Sequence, residues 1–356
     1  KDQAVTIEYE FQSTLFNQET GKESNTGSIF SGSQAVEVTA GEQQYSLTPA
    51  DIPDQKLWNY DEANLYEGTI TVKDEEDHVL DKVSTYFGQR EVSTERYDGK
   101  TVDYIYVNNK PVYLSGLLDQ GFWGEGIYTA PSSDDLRFDL QAMKNLNFNM
   151  IRKHLKIEDP LQYYWADKIG MFVWQDMPHA TAMVPVSNGK ITEGAATPGR
   201  EHYEYALENM LTKLIYNHPS VISVMLFNET WGLQPAYNNE RDVNIENDQG
   251  MSTYQWVQQM YKHAKELDPN IMVEDMSPCN QDHIQPTDLN TFHMYPKGYT
   301  NSKNDVSYFA EGAEEGSTRN FKFGNSYQGE PFLNSEYGGV AAYDGDWDVS
   351  WCFKYQ

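Results

Sequence analysis

Val221-Ile-Ser-Val-Met-Leu-Phe-Asn-Glu-Thr-Trp-Gly232 decides the fold of this chain. Residues 221–227 are apolar but for one serine, in a run of strand length, which reads as a strand buried on both faces. The run ends on Asn228 and Glu229. Pro331-Phe-Leu-Asn-Ser-Glu-Tyr-Gly-Gly339 repeats the design, with Glu336 just past the apolar part. Strands buried on both faces belong to parallel sheets, and strand tips carry the chemistry in such folds.

Helical segments flank the first run. Residues 203–216 precede it, and 253–267 follow with Val257, Met260, Ala264 and Leu267 on one face and Pro269 as a stop. Upstream, Ser132-Ser-Asp-Asp135 forms a capping box ahead of Leu136, Leu140 and Met143. A strand at 148–151, a helix at 161–168, a strand at 171–174 and a long loop with Pro185 and Gly189 come next. Short apolar strands at 271–273, 289–292 and 332–333 complete the alternation. Alternating strands and helices predict a (β/α)8 barrel, with an open doubly wound sheet as competitor. About seven strands are countable against the eight of a closed barrel. The chain is therefore expected to be a piece of a longer protein that lacks the barrel's final strand.

Residues 1–98 follow another rule. Val5, Ile7, Tyr9 and Phe11 alternate with polar residues, as do Val36 and Val38, while Tyr66, Ile70 and Val72 share a face. Gly21, Gly27, Gly32, Gly41 and Pro53 punctuate these runs, so several short strands of an immunoglobulin-like β-sandwich are expected. The barrel domain is placed at 99–356. A hairpin turning at Asn108-Asn109 leads into its first strand, because Asn tolerates positive φ in a primed turn.

The 54 acidic and 26 basic side chains give a formal charge of −28, which repels nucleic acid and anionic membrane. No run approaches the roughly 20 apolar residues of a membrane helix. The chain is expected to be soluble, in the cytoplasm or exported after loss of a signal peptide. Cys279 and Cys352 are too few for a disulfide framework and lack zinc-site spacing.

Asn217-His-Pro-Ser followed by 221–232 resembles the acid/base strand of glycoside hydrolase family 2, the group of β-galactosidases, β-glucuronidases and β-mannosidases. Phe148-Asn-Met-Ile-Arg-Lys-His154 is similar to that family's second barrel strand, and Phe332-Leu-Asn-Ser-Glu-Tyr-Gly338 to its nucleophile strand. Asp61-Glu-Ala-Asn-Leu-Tyr66 through Thr85-Tyr-Phe-Gly-Gln-Arg-Glu91 resembles the end of its immunoglobulin-like domain. The resemblance implies a jelly-roll domain before this segment. Two departures are visible: Arg152-Lys-His154 is one residue shorter than the Arg and His spacing of many members, and Val173-Trp-Gln-Asp-Met-Pro178 looks like the β-mannosidase type.

The resemblance implies a retaining exo-β-glycosidase, β-galactosidase-like or β-glucuronidase-like, that hydrolyses terminal β-linked sugars. A β-mannosidase-type member and a non-catalytic carbohydrate-binding scaffold are the alternatives. Glycosidic cleavage needs a proton on the leaving oxygen and an electron pair at the anomeric carbon, hence one neutral and one ionised carboxyl. Glu229 is assigned as acid and base, Glu336 as nucleophile. Ionised Glu336 is expected to raise the pKa of Glu229.

Asn228 is implied as a donor to the sugar hydroxyl beside the anomeric carbon, and Tyr295 as a contact of the nucleophile. Arg152 is expected to hold Glu336 ionised. His293 reads equally as substrate contact or satisfied structural histidine. His154 and Asp176, at the ends of strands two and three, are placed where a sugar hydroxyl reaches. Trp174 and Trp231, with Trp123 or Trp347, are candidates for walls that stack on sugar faces; a buried tryptophan is more often plain core. No metal cluster with recognisable ligand spacing is found, and no cofactor is required.

Overall fold

The computed structural model describes residues 3–47, 51–97, 102–178, 198–233, 253–279, 282–295 and 310–338, with Gly99, Ser307 and two short strands between 186 and 191. Trp347, Cys352, Pro185, Gly189 and anything following Gly338 lie outside the described residues, including the segment on which the expected final strand bears.

The N-terminal part is a four-stranded antiparallel sheet of β1 (Gln3–Asn17), β2 (Lys22–Val38), β3 (Leu65–Lys73) and β4 (Val79–Phe87), in the order β2-β1-β3-β4. Two of these strands are long where short ones were expected. Gly27 and Gly32, read as breaks, lie inside β2, and Gly32 is needed there because a Cβ would come within 2.3 Å of the Tyr9 hydroxyl. Tyr9, Phe11, Phe30 and Tyr66 form the core of this part.

Next come β5 (Val92–Arg96), β6 (Asp103–Val107) and β7 (Lys110–Pro111). The turn joining β6 to β7 has Asn108 and Asn109 at φ 53° and 62°, as the sequence required.

The barrel segment begins with β8 (Gly116–Asp119), α1 (Ser133–Asn145), β9 (Met150–Lys153), α2 (Pro160–Ile169) and β10 (Phe172–Asp176). The Ser132 side chain caps α1 by accepting from the Asp135 N–H. Gly170 caps α2 at φ 77°, and a Cβ there would come 2.4 Å from the Tyr60 carbonyl. After the pair β11 (Val186–Ser187) and β12 (Lys190–Ile191) come α3 (Pro198–Asn209), β13 (Val221–Asn228), α4 (Thr253–Leu267), β14 (Met272–Ser277), β15 (Asn290–Met294) and β16 (Phe332–Tyr337).

All eight residues of β13 are buried, as a parallel strand between two apolar layers requires. Outside the sheet, Val173, Val224 and Leu226 pack on Leu207, Trp256, Val257 and Met260. Inside it, Phe172, Trp174, Met225 and Met272 meet Trp58, Leu65, Ile105 and Val107 from the preceding region. Each large apolar side chain so buried stabilises by about 1.5–3 kcal/mol.

Among the described residues the parallel strands do not close into the expected ring of eight. β14-β13-β10-β9-β8 form one sheet, and β15-β16 a separate parallel pair. The break beside β14 has a local cause: the Val273 and Asp275 N–H groups donate to Asp288 Oδ2 (2.8 Å) and Thr287 Oγ1 (3.3 Å), side chains that take the place of a neighbouring backbone.

Candidate active site

β13 delivers the first carboxylate through a strained turn. Glu229 and Thr230 both have positive φ, 51° and 61°, which for a β-branched residue costs on the order of 1–3 kcal/mol. The Glu229 N–H to Ser277 carbonyl bond (2.9 Å) and the Trp231 N–H to Asn228 carbonyl bond (3.0 Å) hold it there. The turn swings the Glu229 side chain over the strand ends. Glu336, near the end of β16, is buried. Oxygens of the two carboxylates lie within 4.8 Å of each other, with an imidazole nitrogen of His293 inside the same span.

His293 stands between them. Its Nδ1 is 2.7 Å from Glu229 Oε1 and its Nε2 is 3.4 Å from Glu336 Oε1. Tyr295 donates its hydroxyl to Glu336 Oε2. His293 lies on β15 and Tyr295 just past its end, and the pairing of β15 with β16 shifts register between Phe292 and His293.

Arg152 organises the floor of the site from β9. One nitrogen donates to Glu336 Oε1 (3.1 Å), another to Asn228 Oδ1 (2.9 Å), and its Nε to Asp176 (3.1 Å). Burial opposes its charge, but Asp176 and Glu336 more than offset that and hold its pKa above the ordinary value. His154 Nδ1 lies 2.6 Å from Asp176 Oδ2. Asp176 is fully enclosed, behind Arg152 and His154, and does not itself line the cleft.

A cleft of about 1260 Å³ is lined by Arg152, His154, Trp174, Asn228, Glu229, Trp231, Tyr295 and Glu336. Trp231 is 59% exposed and donates its indole N–H to Glu229 Oε2 at 3.2 Å. Trp174 is 1% exposed and mostly inner core. Trp123 sits in the loop after β8 and does not line the cleft.

The electrostatics of Glu229 run opposite to the sequence expectation. The hydrogen bond from His293 holds its carboxyl below the usual carboxylate range, against the burial that raises it, with smaller help from the charge of His293, from Trp231 and from His154. His293, read from the sequence as substrate contact or structural histidine alike, is the largest cause of that lowering.

Three further residues were not anticipated. Ser277 Oγ lies 2.9 Å from His293 Nε2 and 2.8 Å from Ser335 Oγ. Ser335 immediately precedes Glu336, a signal the sequence offered, whereas Ser277 ends a strand expected only over 271–273 and gave none. Glu274, one turn of the pleat below, is buried with its carboxyl pushed to about 8, chiefly by desolvation. As for cations, Asp74, Glu76 and His78 gather in the exposed β3 to β4 turn, but hydrogen bonds and charge pairs within that turn account for their approach.

The model of the glycosyl hydrolases family 2 TIM barrel domain matches residues 100–346, and that of glycosyl hydrolases family 2 matches residues 1–90. The chain belongs to glycoside hydrolase family 2. A putative beta-glucuronidase of Formosa agariphila is 27% identical over 223 residues, 62% of this chain and 24% of that protein. The beta-galactosidase large subunit of Leuconostoc lactis is 28% identical over 215 residues, 55% of this chain and 32% of that protein. This family 2 chain thus aligns with about a quarter to a third of these relatives. The crystal structure of Bacteroides uniformis beta-glucuronidase superposes with a TM-score of 0.72 at 20% identity, covering 96% of this chain and 37% of that one. At that identity the likeness speaks to fold: an immunoglobulin-like domain joined to a barrel of the TIM type. Among the described residues no helix is long and apolar enough to cross a membrane.

Proposed function

We propose that this chain carries the active centre of a retaining exo-β-glycosidase, β-galactosidase-like or β-glucuronidase-like, with Glu229 as acid and base and Glu336 as nucleophile. One observation carries the reading: carboxylates from β13 and β16, far apart in sequence, bring oxygens within 4.8 Å of each other at one cleft. That spacing supports the double-displacement reading, whose carboxyl groups stand about 5–5.5 Å apart, over the wider inverting one. Glu336, paired with Arg152 and accepting from Tyr295, attacks the anomeric carbon as Glu229 protonates the departing oxygen. Water then cleaves the glycosyl ester with Glu229 as base. Arg152 occupies Asn228 Oδ1, which turns the amide N–H groups toward the cleft and a sugar hydroxyl. His154 and Trp231 line the sugar's approach.

In this reading residues 1–98 form the sandwich domain and 99–356 the catalytic one, although β5 and β6 pair across that division. The partner is a carbohydrate substrate, and the mechanism itself calls for no cofactor. A panel of nitrophenyl β-galactoside, β-glucuronide, β-mannoside and β-glucoside identifies the sugar. Azide restores turnover of an activated glycoside to Glu336→Ala and yields the glycosyl azide of inverted configuration. Absence of rescue at both glutamates would remove the assignment.

A further inference from the structure

The hydrogen bonds around His293 fit one consistent direction. The Phe292 carbonyl accepts from the Ser335 hydroxyl at 3.3 Å, so the Ser335 proton is placed. Ser335 Oγ then accepts from Ser277 (2.8 Å), and Ser277 Oγ accepts from His293 Nε2 (2.9 Å). Nε2 therefore carries a hydrogen. One contact remains: Nδ1 and Glu229 Oε1, 2.7 Å apart. A bare nitrogen facing a bare carboxylate would set two acceptors against each other, so this contact holds one more proton, on Nδ1 or on Oε1.

The surroundings favour the nitrogen. Trp231 donates to the other oxygen of Glu229 at 3.2 Å, which suits a carboxylate. Glu336 Oε1 lies 3.4 Å from Nε2, which suits an imidazolium. The remaining groups facing the pair are Arg152 and His154 from β9, already joined to Asp176 of β10, then Cys279 after β14 and Tyr295 after β15, whose hydroxyl serves Glu336.

We propose that in the free protein the acid's proton is stored on Nδ1 of His293 and crosses to Oε1 of Glu229 when a glycoside fills the cleft. The inference rests on the reading of Glu229 as the acid. Filling the cleft expels water, and a neutral imidazole beside a neutral carboxylic acid is then favoured over a separated charge pair. The proton moves from nitrogen to carboxyl oxygen and on to the departing oxygen while the bond from that oxygen to the anomeric carbon breaks and Glu336 forms its ester. In the second half, water gives one proton to Glu229 as its oxygen bonds to the anomeric carbon and the ester bond to Glu336 breaks, freeing that carboxylate, and the proton returns to Nδ1. His293 acts through Glu229 and is a positioning and proton-storing residue. The device lets a glutamate that is ionised at rest act as an acid beside a second ionised glutamate.

Two measurements test it on the full chain. In nitrogen-15 spectra of histidine-labelled protein at neutral pH, the signals lost in His293→Gln show both ring nitrogens protonated, and they revert to a neutral ring in Glu229→Gln. A neutral His293 ring in the unaltered protein overturns the proposal, whether or not any variant folds. In pH profiles of kcat/KM, His293→Gln moves the basic limb down by about one unit or more and slows glycosides with poor leaving groups by about 100-fold, the scale of general acid catalysis, while sparing activated ones. Equal losses on both substrates, with the limb unmoved, reduce His293 to a structural prop and overturn the proposal. Turnover that survives both Glu229→Gln and Glu336→Gln overturns the two-glutamate reading beneath it. Loss of turnover in those two, with the His293→Gln limb unmoved, overturns the proton store alone.

Discussion

Arg152 Nη1 donates to Glu336 Oε1 across 3.1 Å, and both side chains are almost wholly enclosed. The same guanidinium also neutralises Asp176, so two buried carboxylates depend on one cation. Replacing Arg152 with Met keeps the volume and removes the charge. Leaving a buried ion without its partner costs about 3–5 kcal/mol. Urea unfolding of Arg152→Met is expected to show that loss, with a second carboxylate substitution, Asp176→Asn, recovering part of it. Additive losses in the double variant would mean the pair is not coupled.

In the proposed mechanism Glu229 gives a proton only to leaving groups that need one. For Glu229→Gln, aryl glycosides with poorly acidic phenols should lose about 10²–10⁴-fold in rate, the range of general acid catalysis. Glycosides of strongly acidic phenols should show a far smaller loss in glycosylation. The slope of log kcat/KM against leaving-group pKa measures this. An unchanged slope contradicts the acid role.

The sequence disclosed what depends on near neighbours. The apolar run at 221–227 became β13, and the stripe stopped by Pro269 became α4 over the expected 253–267. Strands expected at 148–151 and 171–174 run instead over Met150–Lys153 and Phe172–Asp176. Their last residues, Arg152, Lys153, Gln175 and Asp176, are polar or charged, and apolar periodicity ends a strand where they begin. They continue the ladder because each finds a distant partner: Arg152 with Asp176 and Glu336, Lys153 with Asp119 and Glu158. Those partnerships exist only after folding. The bridging place of His293 was hidden likewise, since it depends on a register shift between two strands about forty residues apart. The helix expected at 203–216 starts earlier, at Pro198, and ends in a wider π-type turn over Met210–Leu214.

Glu274 offers a pH test separate from catalysis. It is fully enclosed, Thr291 donates to one oxygen, the other has no hydrogen-bond partner among the described residues, and burial pushes its carboxyl from 4.5 to about 8. Below the lower value both folded and unfolded chains hold the proton. Between the two values only the folded chain does, so its stability falls as pH rises, by up to about 1.4 kcal/mol per unit from this group, and levels off above the upper value. Glu274→Gln should flatten that part of the profile. Urea midpoints of both proteins at intervals between pH 5 and 8 decide it; parallel profiles would show that Glu274 is ionised in the fold.

Asp167 ties the N-terminal sheet to the strand that bears Glu229. Its Oδ2 lies 2.7 Å from the Tyr86 hydroxyl at the end of β4 and 2.6 Å from His218 Nδ1, while Oδ1 accepts from the Ser220 N–H at 2.9 Å, just ahead of β13. Its own carbonyl accepts from the Trp58 indole at 2.8 Å. Truncation to Ala removes both carboxylate oxygens and leaves the buried Ser220 N–H unpaired, at about 1–3 kcal/mol, while the Tyr86 hydroxyl keeps only its contact with His218 Nδ1 at 3.1 Å. Tyr86→Phe removes a single donor and leaves Asp167 its bonds to His218 and Ser220, so its loss should be smaller, near 1 kcal/mol. Thermal and urea unfolding rank the two. Because these residues stand at the opposite end of β13 from Glu229, the folded fraction of Tyr86→Phe should keep its kcat/KM, and a large fall in specific activity at full folding would show that the docking also sets the height of the acid in the cleft.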